Sequence, residues 1–283
     1  MDFKRTQLLL LVFFVIFDIY LALTLVGKLN VKMIDSNHST TINIEQQLKS
    51  RNVKFKQVLE NNSVSLPIVK VEQNQELAQK KDSLQQQSVK MANDQLVSVF
   101  DSPLDVGLTS LTESNTLTDE QIEALRQNFL GKSELFIHGL DYPIWSYNAE
   151  TRVLTLYMAG NDGRPIVDGS AELRLTFTPE FLLRDYTQTY QSERTTLDSS
   201  KELISARDAL KLLEKRVDTY IPDGATIEQV NLGYYRTMNL KEIAIYSPVW
   251  EIVYRQDETT LRTVLVDAID KQIVTRPTAT TPN

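Results

Sequence analysis

Side chains able to do acid–base chemistry are few and scattered along this chain. Its two histidines, His38 and His138, fall in different segments, the first in a polar linker and the second directly before Gly139. A general base also needs a nucleophile and an orienting group, and the sequence supplies no such set for either histidine. It also contains no glycine-rich phosphate loop, zinc motif or Gly-x-Ser-x-Gly elbow. We therefore predict no catalytic residue and no enzymatic activity.

Three carboxylates could in principle form a metal site. Asp162, Asp168 and Glu172 surround Gly163 and Gly169, and this spacing could in principle ligate calcium. The twelve-residue loop pattern of the common calcium sites is missing, however. Because the chain has no cysteine, disulfides, thiol catalysis and thiolate metal ligands are excluded. The prediction is that the chain holds no metal and no cofactor.

The charge balance argues against nucleic acid as a partner. The chain has 30 basic and 37 acidic residues, a formal net charge of −7, and no long basic block. Its hydrophobic fraction of 42% and charged fraction of 24% are ordinary for a folded protein. Disorder is therefore not expected for the chain as a whole.

An apolar run near the N-terminus extends from Leu8 to Gly27 and has basic residues on both sides. About twenty residues of helix are needed to cross the roughly 30 Å hydrocarbon core of a bilayer. The run therefore predicts a transmembrane helix over residues 7–27. A short N-terminal tail before a long folded part favours a cytoplasmic N-terminus and an extracellular C-terminal domain. A cleaved signal peptide is the alternative, and we prefer the anchor because hydrophobicity resumes after Asp18.

Asp18 lies near the middle of this run and is the best single candidate for a functional contact. An Asp at the bilayer centre costs about 2.5 to 3.5 kcal/mol on insertion scales. On a helix Phe14, Asp18, Ala22 and Leu25 share one face, and Ala22 leaves room for another helix. These four residues form the predicted contact with a transmembrane partner. A carboxyl that is merely tolerated, protonated or hydrated through a local defect, is the alternative interpretation.

The rest of the chain divides into five predicted segments. They are a cytoplasmic tail at 1–6, a juxtamembrane linker at 28–41, a first α+β unit at 42–190 with a glutamine-rich spacer at 73–95, a second α+β unit at 191–275, and a frayed tail at 276–283.

In the first unit, Thr118 and Gln121 form a capping-box pattern that predicts a helix start, and Gly131 can end that helix. Strands are predicted at 134–137, 143–147, 153–158 and 171–178. In the second unit, apolar residues from Leu203 to Val217 recur at helical spacing, with Asp198 or Ser199 as the cap. Strands are predicted to follow at 227–235, 243–254 and 261–268. The sequence thus predicts an α+β fold of helices packed on antiparallel sheets.

The chain resembles the YycI family over essentially its whole length. The resemblance rests on the opening MDFKRTQLLLLVFFVIFDIYLAL, on the helix ISARDALKLLEKRV, and on the stretches Ser247-Pro-Val-Trp-Glu-Ile252 and Leu265-Val-Asp-Ala268. It implies an extracytoplasmic α+β fold related to domains of YycH. The Pro-x-Trp stretch is also similar to small PepSY-type modules, in which a helix lies on a short antiparallel sheet.

The resemblance also implies a function. The YycI family comprises membrane-anchored accessory proteins of the WalK/WalR (YycG/YycF) two-component system in Gram-positive bacteria. The implied partners are the sensor kinase WalK and YycH, and the implied role is to modulate WalK, and so cell-wall metabolism, through contacts that include transmembrane helices. No catalytic residue is implied.

Two other functions stay open from the residues alone. One is an anchored extracytoplasmic module that senses a wall-derived ligand, which an apolar cleft lined by Trp145 or Trp250 would favour. The other is an extracytoplasmic hydrolase, which a convergent Asp/Glu pair in a deep cleft would support.

Overall fold

The structure is a computed structural model that describes residues 14–15, 17–18, 20, 43–57, 59, 64–112, 116–160, 162–214, 220–256 and 261–274. The predicted cytoplasmic tail, juxtamembrane linker and frayed tail lie outside these residues, as do His38 and most of the predicted transmembrane helix. The chain divides into two compact units, Met1–Gln47 and Leu48–Asn283. The sheets all belong to the second unit.

Strands dominate the described part of the chain. The helices are α1 (Ile44–Ser50), α2 (Glu76–Lys80), α3 (Asp119–Leu125) with a π-helical turn continuing it over Arg126–Leu130, and α4 (Ala206–Glu214). The strands are β1 (Lys54–Phe55), β2 (Ser65–Leu66), β3 (Val69–Glu72), β4 (Gln87–Ala92), β5 (Gln95–Leu104), β6 (Ile144–Asn148), β7 (Val153–Tyr157), β8 (Glu172–Phe177), β9 (Leu183–Gln188), β10 (Arg194–Thr196), β11 (Lys201–Glu202), β12 (Thr226–Asn239), β13 (Ile243–Arg255), β14 (Leu261–Asp267) and β15 (Ile273–Val274).

A seven-stranded sheet has the order β1-β12-β13-β14-β15, and β3 joins it by pairing with β13 and with β10. Only its β1–β12 pair is parallel. The three strand predictions for the second unit correspond to β12, β13 and β14. The sheet also takes β1 and β3 from the N-terminal side, so it includes strands from both segments that the sequence assigns to separate units.

A six-stranded sheet is antiparallel throughout, in the order β4-β5-β9-β8-β7-β6. Side chains alternate between its two faces because successive residues of a strand point in opposite directions. The leucines of β7 and β8 are fully buried in a core that also contains Ile122 and Leu125 of α3. Each buried leucine contributes about 1.5 to 3 kcal/mol. Thr155 and Arg174 alternate with these leucines and face the opposite, polar side. The predicted α+β class with mostly antiparallel sheets is thereby confirmed.

Helix α3 begins where the capping box predicts. The Thr118 hydroxyl accepts a hydrogen bond from the Gln121 amide at 3.2 Å, and the Gln121 side-chain oxygen accepts one from the Thr118 amide at 2.9 Å. Gly131 follows the π-helical turn and ends the helix as predicted. Two amide groups that a helix start leaves without intrahelical partners are thus satisfied reciprocally.

The predicted cap of α4 is wrong. Ser205 caps this helix, because its hydroxyl accepts a hydrogen bond from the Asp208 amide at 3.2 Å. The chain before Ser205 is held extended, with the Leu203 amide donating to Val64 and the Ile204 amide donating to Ala268. A helix therefore cannot begin as early as Asp198 or Ser199.

Two further predictions differ from the structure. Within the predicted spacer at 73–95, residues 76–80 form α2 and residues 87–92 form β4, which pairs with β5 and packs Val89 and Met91 against the core. The segment 134–137 is a turn rather than a strand, and its Leu135, Phe136 and Ile137 are all buried. Consecutive buried apolar residues resemble a strand in sequence, but the unpredicted β9 occupies the place between β5 and β8.

The segment between β7 and β8 joins the two sheets. Its Ile166 pairs with Tyr234 of β12, the Val167 amide donates to the Tyr234 carbonyl, and the Tyr234 amide donates to the Pro165 carbonyl. The neighbouring residue Gly233 permits this contact, because a Cβ atom there would lie 2.8 Å from the Pro165 carbonyl oxygen. The close approach fixes the six-stranded sheet relative to the seven-stranded one.

Candidate functional site

The predicted transmembrane contact is described only in part. Phe14, Val15, Phe17, Asp18 and Tyr20 are helical, and all five side chains are exposed. Phe14 is 55% and Tyr20 is 61% exposed, so large apolar and aromatic surface surrounds the carboxyl of Asp18. Four residues apart on a helix, Phe14 and Asp18 lie on the same face.

Ala22 and Leu25, the other two members of the predicted contact, lie outside the described residues. Among the residues that are described, no helix is long and apolar enough to span a membrane. The four-residue contact and the span at 7–27 therefore stay predictions.

His138 lies in an ionic cluster rather than beside a nucleophile. Its Nε2 atom is 2.6 Å from Glu76 Oε2 and 2.8 Å from Lys80 Nζ, and Lys80 Nζ is itself 2.6 Å from Glu76 Oε2. The imidazole stacks on the Tyr190 ring at a centroid distance of 4.6 Å, and the Tyr190 hydroxyl donates to Asp141 at 3.0 Å. Lys80 and His138 lower the pKa of the Glu76 carboxyl by hydrogen bonding to it.

The cluster connects α2 to the 138–141 turn. His138 adopts a left-handed backbone conformation with φ of 51°, and a Cβ on the following Gly139 would lie 2.3 Å from the Leu130 carbonyl oxygen. The four-residue spacing of Glu76 and Lys80 is visible in the sequence as a helical ion pair. Their contact with a histidine about 60 residues further on is not, because only the tertiary fold creates it. This arrangement is suited to holding the 138–141 turn against α2.

The three carboxylates considered for calcium have separate surroundings. Asp168 accepts hydrogen bonds from the Ser170 amide and hydroxyl and from the Arg236 amide, while Glu172 is 3.3 Å from Arg174. Asp162 lies within 4.0 Å of the Arg164 and Arg194 guanidinium groups. Across the described ranges, no group of three or more His, Cys, Asp and Glu side chains is arranged to hold a metal ion.

Asp168 is part of a buried polar network. The Ser170 hydroxyl lies 2.9 Å from the Tyr246 hydroxyl, which links the carboxylate to β13. Burial, together with the charge of Asp168, raises the pKa of Tyr246 to about 12. Tyr246 therefore remains a neutral phenol at physiological pH. The network ties the segment between β7 and β8 to the seven-stranded sheet.

A groove of about 310 Å³ lies between the polar face of the six-stranded sheet and the seven-stranded sheet. Polar side chains from both sheets line it, among them Ser146, Thr155, Arg174, Asn231, Glu251 and Thr263. Of the two predicted tryptophans, Trp145 is among the residues that line this groove and Trp250 is not. The Trp145 indole donates to Asp119 of α3 at 3.1 Å, on the opposite face of β6 from Ser146, and the Trp250 indole donates to the Ile204 carbonyl at 2.8 Å. More of the lining is polar than apolar, so within the described residues this groove is not the apolar cleft that would favour ligand sensing.

Comparison with known proteins gives one family and several distant structural likenesses, of which two are described. The model of the family described as "YycI protein" matches residues 31–269. No curated protein matches the chain in sequence. An uncharacterized protein from Eubacterium rectale ATCC 33656 is 12% identical, with a TM-score of 0.44 over 79% of this chain and 89% of that one. The Bacillus megaterium YpeB C-terminal domain is 11% identical, with a TM-score of 0.34 over 82% of this chain and 96% of that one. Similarities this low carry no argument about function.

Proposed function

The chain belongs to the YycI family, a regulatory family of the WalK/YycG two-component system, and on that basis we propose that it modulates the sensor kinase WalK through its N-terminal helix and its extracytoplasmic part, together with YycH. Membership of this family indicates a regulatory and membrane-associated role. The contact through the helix is supported by one observation, the exposure of Asp18 among exposed apolar and aromatic side chains.

A carboxyl in the middle of an apolar helix is costly in lipid. A central Asp costs about 2.5 to 3.5 kcal/mol on insertion scales, whereas each surrounding Leu, Phe, Ile or Val returns about 0.3 to 0.6 kcal/mol. The apolar run can therefore insert despite Asp18. A donor on a neighbouring helix would lower the remaining cost, since interhelical hydrogen bonds in membranes contribute about 0.6 to 2 kcal/mol. Asp18 thus favours a helix partner that supplies such a donor.

Regulation needs more than binding. A protein that binds two kinase states equally well shifts neither, however tightly it binds. The proposal therefore requires that the helix containing Asp18 fit one kinase state better than the other. Which state is preferred determines whether the chain activates or inhibits the kinase.

The test is Asp18→Leu in the full-length chain. We expect the amount of WalK that co-purifies to fall about fivefold to thirtyfold, the range that about 1 to 2 kcal/mol of lost hydrogen bonding gives. Transcription of the cell-wall genes under WalR control should change with it. Asp18→Asn, which keeps an acceptor oxygen without the charge, should retain most of the co-purification.

The matched control is Phe17→Leu, an apolar replacement at a neighbouring helical position about 100° away around the helix. It should leave co-purification and gene output unchanged. If Asp18→Leu also leaves both unchanged, Asp18 is a tolerated carboxyl and the proposed helix contact is wrong.

The inter-sheet groove supports a second candidate function, the sensing of a wall-derived ligand. The amide, hydroxyl, guanidinium and carboxylate groups that line the groove suit a polar ligand better than an apolar one. Calorimetric titration of the full-length chain with soluble muropeptides, in parallel with Arg174→Ala, tests this function. Binding that Arg174→Ala weakens would support it, and the absence of heat at millimolar muropeptide would exclude it.

A further inference from the structure

The two edges of the six-stranded sheet differ in how they are protected. At β4 the adjoining Gln85 amide donates to the Glu134 carbonyl, the Gln87 side chain donates to the Leu135 carbonyl, and Lys90 places a charge on the strand. At the other edge, β6 has the sequence Ile-Trp-Ser-Tyr-Asn, with no charge or proline inside the strand, although Pro143 directly precedes it. Within the described residues β7 is the one strand that pairs with β6. A strand edge without such devices presents its outward amides and carbonyls to another strand.

We propose that β6 is the site at which a second copy of this chain associates, by antiparallel pairing of β6 with β6 about a two-fold axis at Ser146. The five-residue strand is centred on Ser146, which is exposed. This pairing would place Ser146 opposite Ser146 of the second copy, Trp145 opposite Tyr147, and Ile144 opposite Asn148. The two six-stranded sheets would then form one continuous sheet.

Self-complementarity favours a second copy over an unrelated strand. A two-fold pairing places every side chain of β6 opposite another side chain of the same strand, so a charged residue at its centre would face itself and repel. β6 has none, while Lys90 of β4 would bring such a charge to the opposite edge. Pairing of Trp145 with Tyr147 adds two aromatic cross-strand pairs on one face, a favourable class of pair.

The expected association is weak. Two paired five-residue strands fall well short of the roughly 1,200 Å² that stable interfaces bury. The dimer should therefore be detected by cross-linking or at high local concentration. The β6 edge is a different surface from the proposed kinase contact, and pairing at β6 needs no kinase.

The absence of cysteine makes the first experiment simple. Ser146→Cys in the full-length chain introduces a single thiol, so any disulfide that forms must join two copies. Ser88→Cys is the matched control, since Ser88 is an exposed serine of β4 on the same face at the opposite edge. Under mild oxidation by diamide in detergent micelles, we expect about tenfold more disulfide dimer from Ser146→Cys, because opposed strand residues lie within the Cα distance that a disulfide spans.

Introducing a charge at position 146 gives the second experiment. Ser146→Lys and Ser146→Glu should each abolish concentration-dependent association in sedimentation, because identical charges then oppose one another on the axis. An equimolar mixture of the two variants should associate again. Ser88→Lys should behave as the unaltered chain, and far-ultraviolet circular dichroism checks that every variant is folded.

Three results would overturn the inference. They are equal disulfide yields from Ser146→Cys and Ser88→Cys, a mixture of the Lys and Glu variants that fails to associate, and cross-linking of Ser146→Cys in cells only to a different protein. The last result would assign the edge to another partner.

Discussion

Asp168 and Asp18 are accommodated in opposite ways. Asp168 is 8% exposed, and its carboxylate accepts three hydrogen bonds from Ser170 and Arg236 of its own chain. Asp18 is exposed on a helical segment beside exposed aromatic residues. A carboxylate that its own fold supplies with donors stabilises that fold, whereas an exposed carboxylate on an apolar helix is available to another molecule. Asp168 is therefore a structural acid, whereas Asp18 is a candidate contact.

The largest expected effect is that of Asp168→Ala on folding. The variant removes the acceptor for the Ser170 amide and hydroxyl and for the Arg236 amide, and it leaves buried donors unsatisfied. Because hydrogen bonds to charged groups contribute about 1.5 to 3 kcal/mol each and are not additive, we expect a loss of about 3 to 5 kcal/mol in the free energy of unfolding. Urea denaturation of the full-length chain measures it.

The control for this loss is Asp101→Ala, which removes an exposed carboxylate from β5. It should change the free energy of unfolding by less than about 0.5 kcal/mol. A similarly small effect of Asp168→Ala would mean that the hydrogen bonds from Ser170 and Arg236 do not make Asp168 more important for folding than an exposed aspartate.

A smaller effect is expected at the ionic cluster around His138. Glu76→Gln should lower the free energy of unfolding at neutral pH by about 0.2 to 1 kcal/mol, because the pair is partly exposed and solvent screens it. Hydrogen bonds from Lys80 and His138 lower the pKa of Glu76 below its ordinary value of 4.5. A carboxyl with a lowered folded-state pKa adds stability above its unfolded pKa and loses it as the pH falls through the folded value.

The difference between Glu76→Gln and the unaltered chain should therefore be full near neutral pH and shrink below a pH of about 4.5. Urea denaturation at several pH values gives both curves. A difference that grows on acidification would show that the cluster is stabilised by something other than the Glu76 carboxylate.

The smallest expected effect is that of Asp18→Leu on the unfolding of the sheets. If Asp18 acts on a partner, the variant should leave the free energy of unfolding of the unit Leu48–Asn283 unchanged within about 0.5 kcal/mol while reducing WalK co-purification. A loss of stability comparable with that of Asp168→Ala would assign Asp18 a structural role and remove the contrast between the two acids.

Local signals in the sequence were sufficient to predict several helices and strands. The capping box at Thr118 and Gln121 acts within one helical turn, so the start of α3 was predicted correctly. Alternation along β7 and β8 likewise indicated which face is buried. The glutamine-rich β4 and the buried turn at 134–137 were missed. Each depends on distant neighbours: β4 pairs with β5 and packs on the core, while Leu135 to Ile137 fill that core without forming a strand.

By itself, the sequence determined the family, through its resemblance to known members. It also determined the antiparallel α+β class, the lack of thiol chemistry and the position of Asp18 in an apolar run, because these follow from composition and from spacing over a few residues. Only the tertiary structure decided that His138 meets Glu76 and Lys80, that Asp168 accepts its hydrogen bonds from its own chain, that the Trp145 indole bonds to Asp119, and that β6 is the last strand of the six-stranded sheet. These features depend on which strands pair and which faces meet. Such choices are made by contacts between residues far apart in the chain, for which a single sequence carries no local signal.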